Sequence, residues 1–189
     1  MKLYKYSLLI IAVLTLLSAN SFAQKNKPQT FEAPEMPTST ETSKIAYTEV
    51  VTQQGAPSEL KEKALKWFHS YYKNSSNIIK KNDETMLEGS PRFRILSPKS
   101  KKGVQTTAGI VEYNIKIYYK DGRYKYVITD FNWKQTSKFP IEKWLNKESP
   151  TYKQSYAFYL QQVDEYAKTT IASLKKAMSA SKEVKKDDW

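Results

Sequence analysis

Apolar and polar side chains alternate through residues 111–129 on both sides of a single Asp121-Gly122 pair, the period of two half-buried strands meeting at a tight turn. Asp-Gly in that place predicts a hairpin and sets its register. Lys120 opposes Arg123, Tyr119 opposes Tyr124, Ile117 opposes Tyr126 and Ile115 opposes Ile128. One face then carries Val111, Tyr113, Ile115, Ile117, Tyr119, Tyr124, Tyr126 and Ile128 and is the expected core face. The other carries Glu112, Asn114, Lys116, Tyr118, Lys120, Arg123, Lys125, Val127 and Thr129 and is expected to stay open. Asp130 closes the core-facing row opposite Tyr113, where a carboxylate is expected to accept hydrogen bonds from a tyrosine hydroxyl or backbone N–H groups.

A helical period governs two other segments. Leu60, Ala64, Trp67, Phe68 and Tyr71 form one stripe, with Ser58 as the expected N-cap and Glu59 and Glu62 in the first turn. A longer helix is expected to start with Ser149 as cap and Pro150 at its first position. It gathers Tyr152, Tyr156, Tyr159, Leu160, Val163, Tyr166, Ala167, Ile171, Leu174 and Met178 on one face and runs to about Ala180.

The remaining elements are short. The run KIAYTEVV, starting near Ile45, reads as a strand, and residues 77–96 as two strands around an Asn82-Asp83 turn, the second interrupted by Gly89 and Pro91. Residues 97–109 form a basic loop. A connection with Trp133, Pro140 and Trp144 follows the hairpin. The order β-α-β-β-β-β-α, with one apolar stripe per helix, predicts an α+β fold: an antiparallel sheet with helices on one face and the other face left for water or a partner.

The ends follow different rules. Lys2 and Lys5, the apolar residues 8–17 and Ser21-Phe22-Ala23 predict a signal peptide over residues 1–23, cleaved near Ala23/Gln24. The apolar run is about half of the ~20 residues a membrane span requires. Residues 24–43, rich in Pro, Thr, Ser and Glu, read as a flexible linker. A single domain is expected over residues 44–180, and a charged tail over residues 181–189.

Cleavage removes two lysines and no acid, which takes the net charge from +12 to +10. The 189 residues contain no cysteine, so disulfides, thiolate metal sites and a lipidated cysteine are excluded. The expected location is periplasmic or secreted, with no membrane span left after cleavage. There a basic protein meets anionic partners: an envelope polymer or an acidic protein. Export argues against nucleic acid.

Catalytic chemistry lacks its usual participants. His69 is the single histidine and points off the apolar stripe of its helix. None of the five glycines belongs to a phosphate-binding pattern. Asp83-Glu84 and Asp187-Asp188 fall in a turn and the tail, and Asn74-Ser75-Ser76 fits the frequent glycosylation triplet. No catalytic residue, metal site or cofactor is assigned, and a non-enzymatic protein is expected. The candidate binding residues are Lys116, Tyr118, Lys120, Arg123 and Lys125, a basic patch with an aromatic floor on the open face. The competing reading is a solvated face whose cations discourage edge pairing. A second functional reading places a small ligand in a tyrosine-lined cavity, with Tyr152, Tyr156, Tyr159 and Tyr166 facing Tyr113, Tyr119, Tyr124 and Tyr126.

Three runs carry a family resemblance: Tyr47-Thr48-Glu49-Val50-Val51, Ala64-Leu65-Lys66-Trp67-Phe68, and the stretch from Lys120-Asp121-Gly122-Arg123 to Thr129-Asp130-Phe131. In this order they resemble exported Bacteroidetes proteins grouped as a domain of unknown function with a TATA-binding-protein-like (TBP-like) fold. The similarity covers residues 44–134, and the last helix fits more loosely. Gly89-Ser90-Pro91 departs from the Gly-x-Gly-like run usual there. The resemblance implies a curved antiparallel sheet with helices on one face, and no known activity.

Overall fold

The Asp-Gly hairpin forms the centre of the sheet in a computed structural model that describes residues 30–180. Strands β5 (Thr107–Lys120) and β6 (Arg123–Lys134) pair in the register their alternation dictates, with all four predicted pairings present. Gly122 turns the chain at φ +68°, a conformation that suits a residue without Cβ. The turn is held from outside: Gly122 N–H donates to the Gly55 carbonyl and Gln53 N–H donates to the Gly122 carbonyl.

Strand β1 (Ala46–Thr52) pairs antiparallel with β6, and β3 (Met86–Gly89) with β5. Strand β2 (Ile79–Asn82) lies outside β3. Strands β4 (Arg92–Leu96) and β7 (Lys138–Pro140) add to β5 and β6 respectively. The result is an α+β fold with a seven-stranded antiparallel sheet. Residues 77–96 thus give three strands, not two. Pro91 cannot donate to a ladder, and its carbonyl instead accepts the Tyr113 N–H at 3.1 Å, which separates β3 from β4.

Helix α1 (Pro57–Tyr71) buries Leu60, Ala64, Trp67 and Phe68. Its N-cap is Ala56, not Ser58; Pro57 takes the first helical position, and the Glu59 carboxylate accepts the Ala56 N–H at 3.1 Å. After the four-residue α2 (Ser75–Ile78) and a 3-10 helix (Ile141–Leu145), the long helix α3 spans Ser155–Ser179. It begins after the expected Ser149–Pro150 start because that segment closes a turn of its own. There Tyr152 N–H donates to the Ser149 carbonyl, and the Ser149 and Thr151 hydroxyls lie 3.0 Å apart. Among the described residues, no helix is long and apolar enough to cross a membrane.

Two further expectations are corrected. Asp130 does not face the core. It adopts φ +57° at a bulge where the β5–β6 register shifts, so Phe131 turns inward and is 1% exposed. The Asp130 carboxylate instead accepts a hydrogen bond from Asn114 Nδ2 at 3.1 Å and pairs with Lys44. Order also begins well before Ile45. The Phe31 ring packs on Phe158 at 4.6 Å, and Gln154 and Gln161 donate to the Phe31 and Glu32 carbonyls. Met36 is only 8% exposed, and Ala46 N–H donates to the Pro37 carbonyl. Phe31, Ala33 and Met36 are the apolar contacts that lay this mostly polar stretch down. The expected signal peptide of residues 1–23, residues 24–29 of the expected linker and the expected tail of residues 181–189 lie outside the described residues.

The interior is built of rings. Tyr113 stacks on Phe131 at 5.5 Å and Tyr166 on Phe93 at 3.9 Å. Tyr156 and Tyr159 pack on Trp133 and Trp144 rather than on the hairpin tyrosines; of the α3 tyrosines, Tyr166 is the one in ring contact with Tyr113. Most hydroxyls find partners. Tyr72 and Tyr113 share a 2.8 Å hydrogen bond, Tyr126 donates to Glu49 at 2.7 Å, and Tyr47 donates to Asp164 at 2.9 Å. The Tyr119 and Tyr124 hydroxyls are buried without a hydrogen-bond partner among the described residues. Burial, then the charge of Glu49, pushes the Tyr124 hydroxyl up to about 12.

Candidate functional site

With α1 and α3 on one side, the other face of the sheet is ordered by strand register alone. Val50 opposes Lys125, Lys125 opposes Tyr118, and Tyr118 opposes Met86, one row across four strands. The next row outward is Thr52, Arg123 and Lys120; the next inward is Thr48, Val127, Lys116 and Glu88. Between them lies a groove of about 390 Å³ lined by Val50, Tyr118, Lys120, Arg123, Tyr124, Lys125 and Val127.

Four of the five candidate residues line this groove. Lys116 does not; its ammonium lies 3.5 Å from the Glu88 carboxylate, which neutralises it. Lys120, Arg123 and Lys125 have no ion-pair partner among the described residues. Beside them Val50 is 59% exposed and Tyr118 36% exposed. The arrangement is therefore an apolar floor of Val50, Tyr118 and Val127 with three uncompensated cations around it. Such a surface attracts an anion at long range and gives its apolar portion area to bury at contact.

Val50 and its role were not visible in the sequence. In TEVV either valine could face out, and only the β1–β6 register puts Val51 against the core and leaves Val50 in the groove. The basic loop of Lys99, Lys101 and Lys102 is remote from this site. It joins β4 to the start of β5, and Thr107 and Tyr118 are on the order of 35 Å apart along a strand rising ~3.3 Å per residue.

Other candidate groups serve the fold. Asp83 Oδ1 accepts the Thr85 and Met86 N–H groups at 2.9 Å, closing the β2–β3 turn. Lys81 beside it, together with those hydrogen bonds, holds the Asp83 carboxyl well below the usual range. His69 Nδ1 lies 2.6 Å from the Ser75 hydroxyl and ties α1 to α2. Among the described residues, no group of three His, Cys, Asp or Glu side chains is placed to hold a metal ion.

The architecture defines the class: an antiparallel sheet with helices α1 and α3 on one face and, among the described residues, no helix on the other. Among solved structures, the chain resembles a DUF4468 family protein from Bacteroides ovatus ATCC 8483, at 19% identity and a TM-score of 0.57, over 73% of this chain and 88% of that one. At that identity the likeness establishes the shared fold and nothing more. A TBP-like protein from Parabacteroides distasonis ATCC 8503 is a looser likeness, at 12% identity and a TM-score of 0.47, over 70% of this chain and 93% of that one. The Bacteroides ovatus neighbour comes from Bacteroidetes, the group that the three runs resemble. No protein-family model and no curated protein matches the chain.

Proposed function

We propose that the protein is an exported, non-enzymatic binding module whose open sheet face holds an anionic partner of the cell envelope, an acidic polymer or an acidic protein. The observation that carries this reading is the groove, where Lys120, Arg123 and Lys125 surround Val50, Tyr118 and Val127 with no ion-pair partner among the described residues. A merely solvated face would interleave both signs of charge, as Lys116 and Glu88 do one row away. Export rests on the pattern of residues 1–23, and the excess of basic residues favours anionic surroundings.

Charge reversal tests the reading. Lys120→Glu, Arg123→Glu and Lys125→Glu together should weaken retention of the protein on isolated envelope and flatten its salt dependence. Retention equal to that of the wild-type protein at low and high salt would overturn it.

A further inference from the structure

Farther along β5 the sheet is split. Strand β3 ends at Gly89 and β4 begins at Arg92, and beside the break opens a cleft of about 800 Å³. That is within the ~300–1,000 Å³ of small-ligand sites. The break is rigidly held: Ser90 N–H donates to the Ile78 carbonyl at 3.0 Å, and the Ser90 hydroxyl donates to Asn114 Oδ1 at 2.8 Å.

The lining has three chemical parts. Tyr71 and Tyr166 supply aromatic surface and are fixed from behind, Tyr71 by a 3.1 Å hydrogen bond to Thr170 and Tyr166 by its stack on Phe93. Lys73, Lys80, Arg92 and Lys138 stand exposed around it with no ion pair among the described residues. Glu88 is engaged by Lys116, which leaves Glu112, among the described residues, as the one carboxylate of the lining outside an ion pair. Asn74 and Asn77 add carboxamides, and Ile78 is the single aliphatic residue of the lining.

Each part selects for something. A predominantly polar wall favours a hydroxyl-rich ligand over an apolar one, carboxamides can donate to and accept from hydroxyls, and flat rings offer faces for the C–H surface of a sugar. The surplus of cations over Glu112 calls for a negative charge. We propose that this cleft is a second site, separate from the groove, that takes a carboxylated sugar. Lys116, neutralised by Glu88, occupies the open-face position of β5 between Asn114 of the cleft and Tyr118 of the groove, and the two linings share no residue.

The full mature protein would be titrated with glucuronate, galacturonate and an oligogalacturonate by calorimetry, with NMR following the Asn74 and Asn77 side-chain amides. Glucose and acetate separate the sugar from the bare anion. At least one acidic saccharide should saturate and shift those amides. Arg92→Glu or Lys138→Glu should weaken binding at least about tenfold with unchanged melting temperature, while the groove triple variant should retain it. No saturable shift with any of the three saccharides, or equal binding of glucose or acetate, would overturn the proposal. So would loss of binding confined to the groove variant, which would return the ligand to the first site.

Discussion

Val50 and Tyr118 flank Lys125 in one cross-strand row, so that a cation on β6 is set between two exposed apolar side chains on the strands to either side, β1 and β5. Neither flanking residue belongs to the core, so neither is needed for folding. Tyr118→Ala should therefore move unfolding free energy by no more than about 0.5 kcal/mol. It should nevertheless weaken envelope retention several-fold by removing the floor beside Lys125. Urea titration and retention measured on the same preparation check both halves.

Gly89 lies against α1 so closely that a Cβ would stand 2.4 Å from Phe68 Cζ. Gly89→Ala should destabilise by about 1–3 kcal/mol through overpacking. Gly122→Ala meets no atom within 4 Å and bears only the cost of φ +68°, on the order of 1 kcal/mol. Chemical denaturation of the two variants should rank them in that order.

Tyr47 and Asp164 join β1 to α3 through a buried 2.9 Å hydrogen bond, with Lys168 on the other carboxylate oxygen at 2.7 Å. Tyr47→Phe leaves half of that carboxylate unsatisfied and should cost about 1–3 kcal/mol. Hydrogen exchange should quicken in β1 if this contact holds the edge strand to the helix.

Burial pushes the Asp130 carboxyl up, but the hydrogen bonds from Lys44 and Asn114 outweigh it and hold the group below its usual value. The folded value is the lower one. The associated stability is therefore fully present above the ordinary aspartate value of ~3.9 and is lost as pH falls through the folded value. Glu49 behaves alike, lowered by its hydrogen bonds from Lys175 and Tyr126. Asp130→Asn keeps a residue that tolerates φ +57°. It should lower stability at neutral pH and shallow the acid limb of a stability–pH curve; an unchanged acid limb would refute this assignment.

Met36 tests the laid-down segment. Met36→Ala should destabilise by about 2 kcal/mol or more, as for other buried methionines, whereas a true linker would give no change in melting temperature.

The hairpin was legible because every local cue agrees: strict alternation, a single Asp-Gly turn and bulky residues on one parity. The same rule failed at Asp130, since a bulge inserts one residue and reverses parity beyond it; a single aspartate able to adopt positive φ is too weak a signal to locate that point. The patch was legible in type but not in membership. Lys116 has the same parity as Lys120, and only the β3–β5 register brings Glu88 beside it. The cleft escaped altogether, because its walls come from α1, α2, β2, the β3–β4 break, β5, β7 and α3, which no local period connects.

The segment clasped to α3 by Phe31, Gln154 and Gln161 also has a mechanical meaning. A pull on the chain from residues preceding Phe31 would first peel that clasp, one ring contact and two amide hydrogen bonds, before tension reached β1 and Val50. The clasp thus sets one ring contact and two hydrogen bonds between such a pull and the strand that carries Val50.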